Sequence, residues 1–286
     1  MSDITADRSL LATAERYCDI GQPERALQAL AALAPEVATS ARAMWLRGYA
    51  HYELEHYEQA AEIAHEGLRD EPDDVALLYL LSISELQCDD LAAAETAILG
   101  ALAIDPNDAT MLAQYADVLM RAGQLDKAQR ILEHASQSDP DSTVVLHMRV
   151  ALAHLRHDDR QARALSEELL SRDPESASTQ GLVGSLELLR GDARSASRRF
   201  AEVVRSDPAD ESAATSARLT RRLSNPLWWP LQFFQRFGAG VTWVGAVATI
   251  FTLRALGLQT LALIATGIWV FMCVMSWIGA WVFRDT

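Results

Sequence analysis

Lysine is almost missing from this 286-residue chain: Lys127 stands alone against 24 arginines. That bias points to a GC-rich coding sequence, hence a bacterial source, and carries no functional signal. Cysteine is scarce as well, limited to Cys18, Cys88 and Cys273. Three distant cysteines exclude a disulfide scaffold and give no Cys-x-x-Cys pair for metal or redox work. No stretch alternates apolar and polar residues between turn signals, so a β-rich domain is excluded. Positive charge is in deficit, with 25 Lys and Arg against 39 Asp and Glu. A net charge of −14 argues against a nucleic-acid binder, which needs a basic face for phosphates. Also absent are a Gly-rich phosphate loop, a Gly-x-Ser-x-Gly elbow and a His-Glu-x-x-His pair. No enzyme, no cofactor and no metal are expected.

What is present divides into two unlike pieces. Residues 1–210 carry 37 acidic and 19 basic residues, a net of −18. Residues 211–286 carry six arginines and two acids, a net of +4. Half of all residues are hydrophobic, which excludes a long disordered chain.

The first piece is periodic. An acidic residue precedes proline at Pro72, Pro106, Pro140, Pro174 and Pro208, at a constant spacing of 34. With repeat starts at 7, 41, 75, 109, 143 and 177, the twentieth position is always alanine: Ala26, Ala60, Ala94, Ala128, Ala162 and Ala196. The eighth position is mostly small, namely Ala14, Gly48, Ser82, Ala116, Val150 and Gly184. Two small positions per period let two helices approach closely, which predicts one helical hairpin per repeat. Ser40, Asp74, Asp108, Ser142, Ser176 and Asp210 each precede a new repeat and read as N-caps for orphan N–H groups. The proline two residues earlier stops the preceding helix. Gly21, Gly123 and Gly191 mark turns within repeats.

The period, the small residues at positions 8 and 20 and the proline at position 32 resemble the tetratricopeptide repeat. The resemblance spans residues 7–210 and implies an all-α, right-handed solenoid of six hairpins within residues 1–210. A capping helix at 211–224 would close its last apolar face. The first repeat departs by carrying Pro35 in place of a proline at position 32, and Trp45 sits one place later than the family's usual Trp.

The second piece reads as a membrane anchor. Residues 237–253 and 258–283 contain no charge, and Arg254 lies between them. This predicts a two-helix transmembrane hairpin at about 238–256 and 260–282. A linker at 225–237 holds Trp228 and Trp229. With Arg221, Arg222 and Arg236, these suit a membrane interface. Met1–Leu11 shows no apolar leader. By the arginine bias the expected location is the bacterial inner membrane, with the solenoid and the C-terminus cytoplasmic. Small pairs Gly245/Thr249 and Ser276/Ala280 would let spans pack or copies associate.

In the family this chain resembles, positions 2, 5, 9 and 12 of each first helix line a concave groove. They give Arg42, Trp45, Tyr49 and Tyr52 in the second repeat and Ala76, Tyr79, Ile83 and Leu86 in the third. The fourth repeat gives Thr110, Ala113, Asp117 and Met120. Large aromatics with polar tips are efficient contact residues. The groove is therefore expected to bind a basic or apolar segment of a protein partner, around Arg42, Trp45, Tyr49, Tyr52, Tyr79, Ile83, Leu86 and Met120. His147, His154 and His157 form the densest histidine group and read as polar lining rather than ligands. The whole is expected to act as a membrane-tethered adaptor. The alternative is a non-catalytic subunit of a secretion, transport or envelope-assembly complex.

Overall fold

The computed structural model describes residues 2–206 and 211–223, together with 248, 251–255, 257–260, 263, 266, 267 and 270. Every regular element among the described residues is helical, as the missing strand pattern predicts. Two compact units are present, residues 1–173 and 174–286.

The first unit holds α1 (Ser2–Asp19), α2 (Pro23–Leu30), α3 (Pro35–Ala38), α4 (Ala41–Glu53), α5 (Tyr57–Asp70) and α6 (Val75–Gln87). It continues with α7 (Leu91–Ile104), α8 (Ala109–Arg121), α9 (Leu125–Ser138), α10 (Thr143–Leu155) and α11 (Asp159–Arg172). Apart from the short α3, these pair as antiparallel hairpins, one per 34-residue period. Each first helix also packs on the first helix of the next repeat, as α4 does on α6 and α6 on α8. The second unit holds α12 (Ala177–Leu189), α13 (Ala193–Ser206) and α14 (Glu211–Leu223). There α13 packs against both α12 and α14.

The alanines at the twentieth position explain the hairpins. Ala26, Ala60, Ala94, Ala128, Ala162 and Ala196 are all at 0% exposure. In the second repeat the eighth position sits against this alanine. A Cβ added at Gly48 would lie 3.5 Å from the Ala60 carbonyl oxygen and 2.5 Å from Leu80 Cδ2. Gly48 thus closes its own hairpin and seats the next repeat at once. Around these contacts the core is aliphatic, with Leu46, Leu77, Leu80, Ile98, Leu119, Leu132 and Leu169 fully buried.

Capping chemistry sets the helix starts. Asp74 accepts from the Leu77 N–H at 2.8 Å, and Asp108 accepts from Thr110 and Met111 at 2.8 and 2.9 Å. Ser40, Ser142 and Ser176 cap α4, α10 and α12 in the same way. Asp210 lies outside the described residues. The first repeat differs from the others. Pro35 holds Ala34 extended (φ −60°, ψ 146°), so the second half of that hairpin breaks into α2 and α3. The freed Ala34 N–H is taken by the buried Asp7 carboxylate at 3.2 Å.

Within each hairpin the turn is the same. The residue at repeat position 15 is left-handed in all six: Gly21, Glu55, Asp89, Gly123, His157 and Gly191, with φ from 57° to 82°. The residue after it donates its N–H back five positions, from Gln22 to Tyr17, His56 to His51, Asp90 to Glu85, Gln124 to Leu119, Asp158 to Ala153 and Asp192 to Glu187. This is the Schellman closure, which satisfies carbonyls at the end of the first helix. Glycine signals found only three of the six turns.

The integral-membrane location is overturned. Among the described residues no helix is long and apolar enough to cross a membrane. The 18-residue α1 reaches sufficient length but carries Asp3, Asp7, Arg8, Glu15, Arg16 and Asp19. Arg221 and Arg222 lie on the polar helix α14, where Arg221 is exposed. In the stretch expected to form the hairpin, residues 251–255 are helical and end at Gly257 (φ 75°), with Leu258 N–H donating to Leu253. The linker at 225–237, with Trp228, Trp229 and Arg236, lies outside the described residues, as does most of 238–256 and 260–282.

Two stability measurements follow. Ala128→Leu forces a larger side chain into a site with no exposure and should cost about 1–3 kcal/mol, read as a lower urea midpoint. His157→Gly relieves a left-handed non-glycine residue and should stabilise by about 0.5–1 kcal/mol, read as a higher urea midpoint. An unchanged midpoint in either variant would contradict the corresponding assignment.

Candidate functional site

The half-exposed aromatic residues of the first unit lie on α4 and α6 and pack on one core cluster. On α4, residues 45, 49 and 52 are spaced by four and three, which stacks them along one side of the helix. The Trp45 and Tyr49 rings lie 5.4 Å apart and within 10° of parallel. Tyr49 and Tyr52 continue the stack at 6.3 Å and 16°. Tyr57, from the start of α5, closes the row edge-on against Tyr52 at 5.4 Å. All four rings are half-buried. Trp45, Tyr49, Tyr52 and Tyr79 rest on the core formed by Met44, Ile63, Leu77 and Leu80, so the row has a rigid floor.

Polar groups fix the ring edges. Gln87 donates to the Tyr52 hydroxyl at 3.4 Å. The Glu53 carboxylate lies one helical turn on from Tyr49. Burial, and then Glu53, push the Tyr49 phenol well above its usual range. Burial does the same to Tyr79, with further contributions from Tyr52, Asp117 and Asp108. These phenols therefore remain neutral donors at physiological pH. Burial also pushes the Cys18 thiol up to about 11, helped by Asp19, Glu53 and Glu15, so it stays protonated and unreactive.

The residues expected to line the groove separate into two groups. Trp45, Tyr49, Tyr52 and Tyr79 come together as a half-exposed aromatic patch. Arg42 is exposed beside them and pairs with Glu15 of α1. Ile83, Leu86 and Met120 do not reach the surface: they are 7%, 1% and 7% exposed. Leu86 packs with Ala94 and Val118, and Met120 belongs to the core around Leu119 and Leu132. Their helical register is that of the groove, but neighbouring helices cover them. Three contributors escaped the sequence reading. Tyr57 lies beyond the turn, in the second helix. Glu53 is four residues after Tyr49, a spacing that could have found it. Gln87 reaches Tyr52 from the next repeat.

One carboxylate stands apart. Asp117, at the ninth position of the fourth repeat, is half-buried and accepts no hydrogen bond or ion pair among the described residues. Burial raises its pKa, and Arg121 one turn on opposes the shift. Arg121 itself donates to the Leu86 carbonyl and the Gln87 side chain.

No group of three potential metal ligands occurs among the described residues. In the histidine cluster, His147 Nδ1 donates to the Thr143 carbonyl at 2.8 Å. Cys18 and Cys88 are free thiols.

Comparison with known proteins bears on the fold. Two family models described as tetratricopeptide repeat match residues 47–109 and 86–152. No curated protein is significantly similar to the sequence. Among solved structures, a tetratricopeptide repeat protein of Parabacteroides merdae is similar with a TM-score of 0.63 and 18% identity, over 74% of this chain and 83% of that one. A thermophilic TPR protein of Thermus thermophilus has a TM-score of 0.56 and 19% identity, over 63% and 97%. The pilF protein of Pseudomonas aeruginosa reaches 0.51 and 14%, over 78% and 99%. Identities at this level speak for the fold alone. The 34-residue period and the paired helices agree with the family matches over residues 47–152, and the chain is similar there, and in its fold, to tetratricopeptide-repeat proteins.

Proposed function

We propose that this chain is a non-catalytic interaction scaffold that receives a segment of a partner protein on the aromatic face of its first unit. Tetratricopeptide-repeat proteins mediate protein–protein interactions. The observation that carries the assignment is the stacked row Trp45–Tyr49–Tyr52 with Tyr79 beside it, half-open above an aliphatic floor. Such rings lose little freedom on contact, because packing already fixes them. Rigid anchors keep the entropic cost of binding low. Their hydroxyls and the indole N–H supply polar contacts to a bound backbone. Trp and Tyr are also the residue types that dominate interface energetics.

The test compares two variants against the same partner. Trp45→Ala with Tyr49→Ala should weaken capture by about 30-fold or more, the loss of a central hot spot. Ile104→Ala, at an exposed site on a second helix, should leave capture unchanged. Equal capture by both variants would remove the aromatic face from the assignment.

A further inference from the structure

The turn of the second repeat brings two imidazoles together. Glu55 is left-handed there (φ 60°), and the His56 N–H donates to the His51 carbonyl at 2.9 Å. The same closure joins positions 11 and 16 in every hairpin, but only the second repeat has histidine at both. The ring centroids lie 5.8 Å apart with planes tilted by 39°. Their Nδ1 atoms are separated by 3.5 Å. That is longer than the about 2.7–3.2 Å of an ordinary N–H hydrogen bond. His51 is half-buried and His56 exposed, so an ion can reach the pair from solvent. Burial, and then His56 and Arg47, lower the His51 pKa, which keeps that ring neutral at physiological pH.

We propose that His51 and His56 form a two-imidazole site for a divalent transition ion of the Zn²⁺ class, with water in the remaining coordination positions. Neutral imidazole is the commonest protein ligand for such ions. With Zn–N bonds of about 2.0–2.1 Å, a separation of 3.5 Å sets an N–Zn–N angle of about 113–122°, near the tetrahedral value of about 109°. A square-planar cis pair would need the two nitrogens about 2.9 Å apart, so the spacing favours a tetrahedral ion. Binding needs both Nδ1 lone pairs free, with the ring protons on Nε2. For two neutral rings this is a change of tautomer with no net proton release. The backbone closure already holds the two residues together, so little is reorganised on binding. Two features keep the affinity moderate. The protein supplies two ligands where structural zinc takes four, and Arg47, one turn before His51, opposes the ion's charge. The site stands whether or not the aromatic face docks a partner.

The experiment titrates Zn²⁺ alone into the full chain after chelator treatment and dialysis. Calorimetry at neutral pH should show one site tighter than any other. His56→Gln and His51→Ala should each weaken that site by about 10-fold or more. Gln stands at position 16 in the first and fourth repeats and Ala at position 11 in the fifth, so this turn already accepts both residues. His154→Gln, on α10, should leave the tight site unchanged. Thermal unfolding without metal verifies that each variant is folded. A second measurement needs no variant. In the wild-type chain, sub-stoichiometric Zn²⁺ should shift the Nδ1 nitrogen resonances of His51 and His56 together, ahead of the other histidines. The site is overturned if either variant binds Zn²⁺ as tightly as wild type, if the two Nδ1 resonances do not move, or if millimolar Zn²⁺ leaves the wild-type chain unbound.

Discussion

Everything in the described fold depends on how closely two helices approach within one repeat. The alanine at position 20 is sealed from solvent in all six periods, and position 8 is small in five of them. A larger side chain at either place would part the helices. Close approach in the hairpin lets first helices of successive repeats pack on each other, as α4, α6 and α8 do. That second contact is what aligns equivalent positions along one face of the first unit. The aromatic row is a consequence of packing chosen two helices away from it.

The candidate site illustrates a compromise between burial and presentation. A side chain fully inside the core stabilises but meets no partner, as with Leu86. A ring fully outside contacts a partner but must be immobilised at an entropic cost. Trp45, Tyr49, Tyr52 and Tyr79 occupy the middle ground, each resting on Leu77, Leu80 and their neighbours with an open edge. Stacking of Trp45, Tyr49 and Tyr52, with Gln87 bonded to the Tyr52 hydroxyl, fixes orientation before any partner arrives. Asp117 runs the other way, since burial without a donor makes it a cost to the fold.

The features legible in the sequence are those set by short-range chemistry repeated many times. Small residues, capping Ser and Asp, and helix-stopping prolines act within a few residues of themselves, and a period of 34 multiplies the signal. The aromatic row was legible for the same reason, being an i, i+3, i+4 pattern on one helix. Ile83, Leu86 and Met120 were misplaced because register gives the face of a helix, not the depth to which neighbours cover it. The left-handed turns at Glu55, Asp89 and His157 carry no glycine, so only their spacing from Gly21, Gly123 and Gly191 reveals them. The uncharged runs near the C-terminus were read by composition alone, and composition fixes neither helix length nor what a helix faces. Among the described residues no helix there has the length a bilayer demands.

The six identical turns limit how such a chain can change. Each joins its helices through one left-handed residue and one hydrogen bond spanning five positions. One residue inserted there would rotate the second helix by about 100°. The sealed alanine would turn away from its partner, and a polar residue would take its place. Growth in single residues at this turn is therefore closed, whereas duplication of a whole 34-residue unit leaves every contact intact. The repeat, not the residue, is the unit in which this architecture can lengthen.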